Sequence, residues 1–474
     1  MDQSGGEIAV GMGAKPSCDA AGAGKDHLSA LPDDTLVLIL LRLDTAAAGG
    51  RTSVLSRRWR RVWTLLPELR FSFSPAPNLI AAALAAHEAP LRHLFVGAQH
   101  AALEPVADCL RAAARRLSGQ LVVENHRSAN EVDEEDPAFE IPCFDSATTV
   151  SLNLGFLGIV MPPAGVFARL TELTLISVWF HGPPELIGDA VSSPRCPSLQ
   201  KLGIKYTFGL ANLAIHSESL LQLKLQKMYG LQQLTVDAPV LQELDVIDCF
   251  DWNQPIANIS APQLVSLFWK DSYDPSSVLF GNMEQPQSLT LTASNFYVNM
   301  SHGMPIVYRD SISDLGTKLT NQSIGNFQYL MEDLRKFPSL EALAVMLRNE
   351  GHAFGASIFH VLRMCTSLTK FALVQGPEND LEAQSTCQSS CVCDELTNWK
   401  TEELTLNRLH AVLIIDMKGT DHEVAFLKRL FSWATVLKSV KILYTSVTAS
   451  KAKEMHEKVL SLAKPETCVT LAAK

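Results

Sequence analysis

The chain has 474 residues, 47% hydrophobic and 19% charged, a globular composition. That length allows one large elongated domain or two to three compact ones. The net charge of −10 removes any global pull toward nucleic acid, and no run reaches the ~18 apolar residues a membrane span needs.

Residues 1–25, rich in Gly and Ala, lack the charged and continuous apolar regions of a secretory signal. They read as a disordered lead-in.

Residues Leu31 to Trp63 follow, LPDDTLVLILLRLDTAAAGGRTSVLSRRWRRVW. Pro32 fits the first position of a helix, where its missing N–H costs nothing. Asp33 and Asp34 suit the positive helix N-terminus. Leu36, Ile39, Leu40 and Leu43 follow at i, i+3, i+4, i+7, one helical face. In a second amphipathic helix Val54, Leu55, Trp59, Val62, Trp63 and Leu66 share a face. Arg57, Arg58, Arg60 and Arg61 lie opposite, as a solvated face rather than a phosphate or nuclear-localisation patch. So small a bundle cannot bury all these apolar residues alone and wants a partner surface.

The motif resembles the F-box of plant F-box proteins. The matching residues are Leu31-Pro32-Asp33, Ile39 to Leu43, and Arg51-Thr-Ser-Val-Leu-Ser-Arg-Arg-Trp59-Arg-Arg-Val-Trp63. The resemblance implies a three-helix unit over 26–70 that docks onto the Skp-like adaptor of an SCF-type ubiquitin ligase, and through it a cullin. Leu31, Pro32, Ile39, Leu40, Leu43, Val54, Leu55, Trp59 and Trp63 are the adaptor-facing or bundle-packing set. The sequence departs from the family at Asp44, where Pro is usual. Gly49-Gly50 precede the second helix and are expected to loosen the hairpin, at roughly 1 kcal/mol per Gly against Ala.

From about residue 90, segments of the form L-x-x-L-x-L recur. They include Leu170 to Leu175, Leu199 to Ile204, Leu220 to Leu225, Leu241 to Val246 and Leu264 to Trp269, with weaker copies at Leu340, Leu368 and Leu437. The fourth positions Leu202, Leu223, Leu244 and Leu267 are spaced by 21, 21 and 23 residues, a leucine-rich-repeat period. Units of this kind stack into a solenoid with a parallel sheet, because none can bury its face alone. Pro197, Pro239, Pro262 and Pro338 mark the starts of turns. The Leu231 to Val236 segment falls half a period late and is expected on the opposite side of the coil. Residues 270–335 read as an insertion or distorted repeats. Asn125 to Pro137 and Gln375 to Thr397 read as surface loops.

The end of the chain shows a strand (Ala411 to Ile415), a Lys-Gly turn, a helix burying Val424, Leu427, Leu430, Phe431 and Ala434, a strand (Ser439 to Tyr444) and a helix (Ser450 to Leu462). With Glu423 before the helix and the ATVLKSV run, this resembles the FBD domain of plant F-box/leucine-rich-repeat proteins. It is expected to close the open end of the solenoid. The reading is therefore an α/β chain: 1–25 disordered, 26–70 F-box, 71–400 irregular leucine-rich repeats with parallel sheet, 401–474 FBD-like cap.

No catalytic constellation emerges. His87-Glu88, His422-Glu423 and His456-Glu457 begin H-E-x-x-H patterns that lack the second His. There is no nucleophile elbow and no P-loop. The ten cysteines are expected to stay reduced. Cys387, Cys391 and Cys393 do not have the paired spacing of a structural zinc site, so neither metal nor cofactor is expected, and His410 or Cys365 would complete such a site only through tertiary contact. The resemblance implies a non-enzymatic substrate receptor, cytoplasmic or nuclear, with an unknown target protein as partner and neither nucleic acid nor membrane. Its target would meet outward strand residues such as Glu172, Thr174, Gln222, Lys224, Gln242, Glu243 and Asp245. The alternative is a stand-alone repeat scaffold whose degenerate F-box no longer holds an adaptor.

Overall fold

The computed structural model describes residues 30–43, 45–72, 77–127, 137–250, 255–271, 276–281, 288–294, 340–348, 354–375, 398–444 and 449–473. The lead-in 1–25, Asp44, Pro338 and the Cys387, Cys391, Cys393 cluster lie outside them. The chain divides into two compact units, one made of residues up to Leu66 with His87–Ala89, the other of Pro67–Ala86 with Pro90–Lys474.

The first unit holds helices α1 (Asp33–Leu40), α2 (Ala46–Arg51) and α3 (Arg57–Thr64). Pro32 is the N-cap of α1 rather than its first residue. Its ψ is 154°, and its carbonyl accepts from Thr35 and Leu36. Asp33 and Asp34 occupy the first turn, as their charge favours. The second amphipathic run is not one helix. A 3-10 turn (Thr52–Val54) is followed by a break at Ser56, whose hydroxyl accepts the Trp59 N–H at 3.3 Å and starts α3.

The second unit is a solenoid whose inward rungs can be followed residue by residue. Leu173, Leu202, Leu223, Leu244 and Leu267 stand in register on successive parallel strands. Two residues further on, Leu175, Ile204, Leu225, Val246 and Trp269 form a second rung. Along strands Glu243–Ile247 and Ser266–Lys270 buried residues alternate with more exposed ones, the period-2 signature of a half-buried sheet. Among the described residues this sheet has 16 strands. Its main path runs Glu68–Phe71, Leu91–Gln99, Leu117–His126, Thr149–Val160, Glu172–Phe180, Lys201–Thr207, Gln222–Met228, Glu243–Ile247 and Ser266–Lys270. It continues through Ser288–Ser294, Ala342–Arg348, Lys370–Gln375, Ala411–Ile415, Ser439–Tyr444 and Cys468–Ala473. Strand Ala138–Glu140 pairs beside Thr149–Val160.

Pro197, Pro239 and Pro262 act through turn geometry. Each is the second residue of a turn closed by an i to i+3 bond: Leu199 N–H to Cys196 O, Leu241 N–H to Ala238 O and Leu264 N–H to Ala261 O. Proline pre-sets φ for that position, and the leucine that follows is buried at each turn. The half-period segment forms strand Gln233–Asp237, on the opposite side of the coil as its spacing requires. It pairs with Asn212–His216 and Ile256–Ser260 in a four-stranded sheet that ends at Val278–Gly281. Elsewhere helices make the return: α4 (Pro77–Ala86), α5 (Leu103–Ala114), α6 (Glu185–Val191), α7 (Gly355–Met364), α8 (Asp421–Trp433) and α9 (Ala449–Leu462).

The structure differs from the sequence reading at four places. Asn125 is not in a loop. It is fully buried near the end of strand Leu117–His126, where its amide accepts from Ala101 N and donates to the carbonyls of Ala101 and Leu154. Repetition starts earlier, with Glu68–Phe71 in register on Leu91–Gln99. At the other end, Cys468–Ala473 adds an unforeseen strand to Ser439–Tyr444, so the terminal segment continues the sheet. In α8 the buried face includes Phe426 and Trp433, while Val424 is only half-buried. No helix among the described residues is long and apolar enough to cross a membrane.

Candidate functional site

The first unit separates its apolar residues into two sets. Leu36, Leu40, Trp59, Val62 and Leu66 are buried and form its core. Leu38 (63% exposed), Val54 (85%) and Leu55 (68%) face solvent, and Ile39, Leu43 and Pro32 are also exposed. Of the nine residues marked by the sequence, Leu40 and Trp59 therefore pack the bundle. Leu31 and Trp63 are half-buried; Pro32, Ile39, Leu43, Val54 and Leu55 lie on the surface. Val54 and Leu55 owe their position to the break before Ser56, which lifts them out of the helix that a continuous period would have made. Burying two such side chains is worth roughly 1.5–3 kcal/mol each, a gain this unit alone does not take.

Trp63 is held from three sides. Its Nε1 donates to Ala46 O at 3.3 Å. A Cβ at Gly49 would stand 3.3 Å from its Cδ1, so the glycine lets α2 approach the ring closely. The His87 ring meets it edge-on at 5.8 Å. His87, wholly buried, hydrogen-bonds Leu66 O through Nε2 at 2.8 Å, and Glu88 and Ala89 donate backbone N–H groups to Thr64 O. Residues 87–89 thus complete the end of α3. Sequence reasoning saw His87-Glu88 only as a failed zinc motif; the signal for this tie is tertiary.

The Gly49-Gly50 pair precedes α3 and lies within the short helix α2. Gly49 has a packing reason. At Gly50 a Cβ would meet only Trp63 Nε1, at an ordinary 3.7 Å. Gly50→Ala is therefore expected to stabilise the first unit by up to about 1 kcal/mol through helix propensity, read as a raised urea midpoint at constant m.

The arginine face is largely solvated, with Arg57, Arg60 and Arg61 exposed. Arg58 instead ties α3 to α1, through a 2.7 Å ion pair with Asp33 and a hydrogen bond to Leu31 O. The pair is part-exposed, so it fixes geometry more than it stabilises.

On the solenoid, the marked polar residues pair across rungs. Gln222 Nε2 donates to Glu243, and Lys224 lies 3.6 Å from Asp245. Burial pushes the Asp245 carboxyl up from its ordinary value, against the pull of Lys224. Glu172 and Thr174 are half-buried, and Gln242 is exposed just before its strand.

Among the described residues no cluster of His, Cys, Asp or Glu is placed to hold a metal ion. Cys109, Cys143, Cys196, Cys249, Cys365 and Cys468 are free thiols. Burial pushes Cys109, Cys143, Cys196 and Cys365 up to about 12, which keeps them protonated and unreactive near neutral pH.

Leucine rungs on a parallel ladder, with half-period strands and helical returns, define a leucine-rich-repeat protein carrying a separate helical N-terminal unit. Residues 106–345, half of the chain, match the family model described as FBD-associated F-box protein At5g56370, LRR repeats. The F-box/FBD/LRR-repeat protein At4g03220 of Arabidopsis thaliana is 29% identical over 282 residues, 54% of this chain and 53% of that protein. The F-box/FBD/LRR-repeat protein At2g04230 of the same plant is 28% identical over 258 residues, 48% of this chain and 54% of that protein. The chain belongs to the family of FBD-associated F-box proteins with leucine-rich repeats. It spans about half the length of the curated relatives it matches.

Proposed function

We propose that the chain is a non-catalytic substrate receptor of an SCF-type ubiquitin ligase. The N-terminal unit holds a Skp-like adaptor, and through it a cullin, while the repeats hold a target protein. Exposed Leu38, Val54 and Leu55 carry this reading: a unit with its own buried core still presents large aliphatic side chains to solvent, as a surface meant for a partner does. Pro32, Ile39 and Leu43 belong to the same exposed set. Leu31, Leu40, Trp59 and Trp63 support it from within.

The chain's contribution to ubiquitination is then proximity. A bound target gains a high effective concentration near the conjugating enzyme. This reading places the chain in the cytoplasm or nucleus, where unpaired thiols persist. The scaffold alternative loses part of its motive, because Gly49 admits the Trp63 ring rather than loosening the hairpin.

The test is co-purification of a plant Skp adaptor and cullin with the full chain, wild type beside Val54→Asp/Leu55→Asp. Both substituted residues are exposed, so stability should stay within about 0.5 kcal/mol. Capture should fall on the order of a hundredfold. Equal capture by the folded variant would refute the proposed surface, and no capture by the wild type would refute the receptor reading.

A further inference from the structure

Four consecutive turns of the solenoid leave their strands through a non-glycine residue in the left-handed region. These are Ser177 (φ 49°), Tyr206 (54°), Lys227 (51°) and Asp248 (50°). The strand pairing aligns Lys205 and Ile247 with Gln226, one residue before the bends at Tyr206, Asp248 and Lys227. L-residues adopt this conformation at an energetic cost, so its recurrence at one edge calls for a reason. Two residues beyond each bend the chain sets an aromatic ring: Trp179, Phe208, Tyr229 and Phe250.

The first three rings form a stack. Trp179 and Phe208 lie 5.0 Å apart at 21°, Phe208 and Tyr229 4.7 Å apart at 20°. They are not core residues. The positions beside them, Val178, Phe180, Thr207 and Met228, are buried, whereas Trp179 and Phe208 are half-buried and Tyr229 is 43% exposed. The stack stops at Tyr229. Phe250 turns instead toward Trp269, at 6.1 Å, and among the described residues no ring stacks on Tyr229 from that side. Among the described residues the stack therefore ends at Tyr229.

The charges along this edge are unevenly matched. Asp245 pairs with Lys224 at 3.6 Å and Asp248 with Lys270 at 3.0 Å. Asp271 accepts the backbone N–H groups of Cys249 and Phe250. Lys227 lies over the Tyr206 ring at 5.5 Å, and neither it nor Lys205 has an ion pair within 4 Å among the described residues. The acids are engaged in pairs or backbone bonds, while Lys227 meets only the Tyr206 ring and Lys205 acts on Asp245 through space without an ion pair within 4 Å among the described residues.

We propose that this edge is where the target docks, through a short acidic segment that carries an aromatic side chain. The incoming ring extends the stack over Tyr229, and the flanking carboxylates meet Lys205 and Lys227. The inference rests on the target-receptor reading of the repeats and is independent of adaptor binding. Offset ring stacking supplies geometry and the lysines supply selectivity. Because the whole chain is acidic, the attraction is local and weakens with salt.

The test is selection of a phage-displayed library of random short peptides on the full-length chain. The wild type should enrich sequences combining an aromatic residue with Asp or Glu. Tyr229→Ala should weaken the selected peptides about tenfold or more, and Lys205→Glu/Lys227→Glu should turn selection toward basic sequences. Selected peptides without acidic bias, peptides indifferent to these substitutions, or no enrichment by the folded chain would each overturn the proposal. Adaptor capture measured on the same variants separates the two readings. Its loss in the wild type with peptide binding intact removes the ligase reading and leaves this docking edge standing.

Discussion

Glu423→Ala should lower the stability of the solenoid unit by about 2–4 kcal/mol. The carboxylate is 4% exposed and accepts from four donors. Gln375 Nε2 reaches Oε1 at 2.6 Å and Lys418 N at 3.2 Å; Thr420 N reaches Oε2 at 2.7 Å and Thr420 Oγ1 at 3.1 Å. Thr420 returns the bond by accepting the Glu423 N–H, which completes a capping box at the start of α8. The Ala variant would strand the buried Gln375 amide, at roughly 1–3 kcal/mol, and would remove the cap bonds to the half-buried Lys418 N–H and the exposed Thr420, at about 1 kcal/mol more. Gln375 ends strand Lys370–Gln375, so the carboxylate joins the last repeat strands to α8 across 48 residues. Urea unfolding of Glu423→Ala and Glu423→Gln beside wild type checks this. Gln keeps the shape but sets an amide donor against donors, so it should keep only part of the stability. A wild-type midpoint for the Ala variant would mean water replaces the carboxylate without penalty.

Leu244→Ala should cost about 2–5 kcal/mol and reduce the cooperativity of unfolding. Leu244 is fully buried, in register between Leu223 and Leu267. Each turn of a repeat array is stabilised mainly by its neighbours, so a cavity in mid-ladder weakens coupling between the turns on either side. The control is Lys224→Ala on the adjacent strand, whose side chain points outward beside Asp245. It should change stability by only about 0.5 kcal/mol. Thermal unfolding followed by circular dichroism distinguishes the two; equal, small shifts would mean that the ladder is not the source of stability.

The ladder was legible because the hydrophobic effect writes it directly into sequence. Leu202, Leu223, Leu244 and Leu267 must be apolar at a fixed period, and even the half-period strand Gln233–Asp237 followed from spacing. What escaped notice depends on contacts distant in sequence. Asn125 reads as a loop residue until Ala101 and Leu154 supply its partners. His87 gives no local sign that it will seal the end of α3 against Trp63 and Leu66. Strand Cys468–Ala473 has Thr and Ala at its outward positions and little contrast with its surroundings. At the candidate site, periodicity marked apolar residues without separating core from surface. Trp59 and Leu55 looked alike in sequence; the break at Ser56 buries one and exposes the other. The aromatic edge has no sequence signature, because its rings are adjacent only when successive turns stack.

The most direct measurement is a calorimetric titration of a plant Skp adaptor into the full chain carrying the single substitution Leu55→Ala, beside wild type. Leu55 contributes little to the folded unit, so the variant should unfold at the wild-type midpoint. Adaptor affinity should fall about tenfold or more. A folded Leu55→Ala chain that binds the adaptor as tightly as wild type would contradict this, because the surface left exposed by the first unit would then not be the one that meets the adaptor.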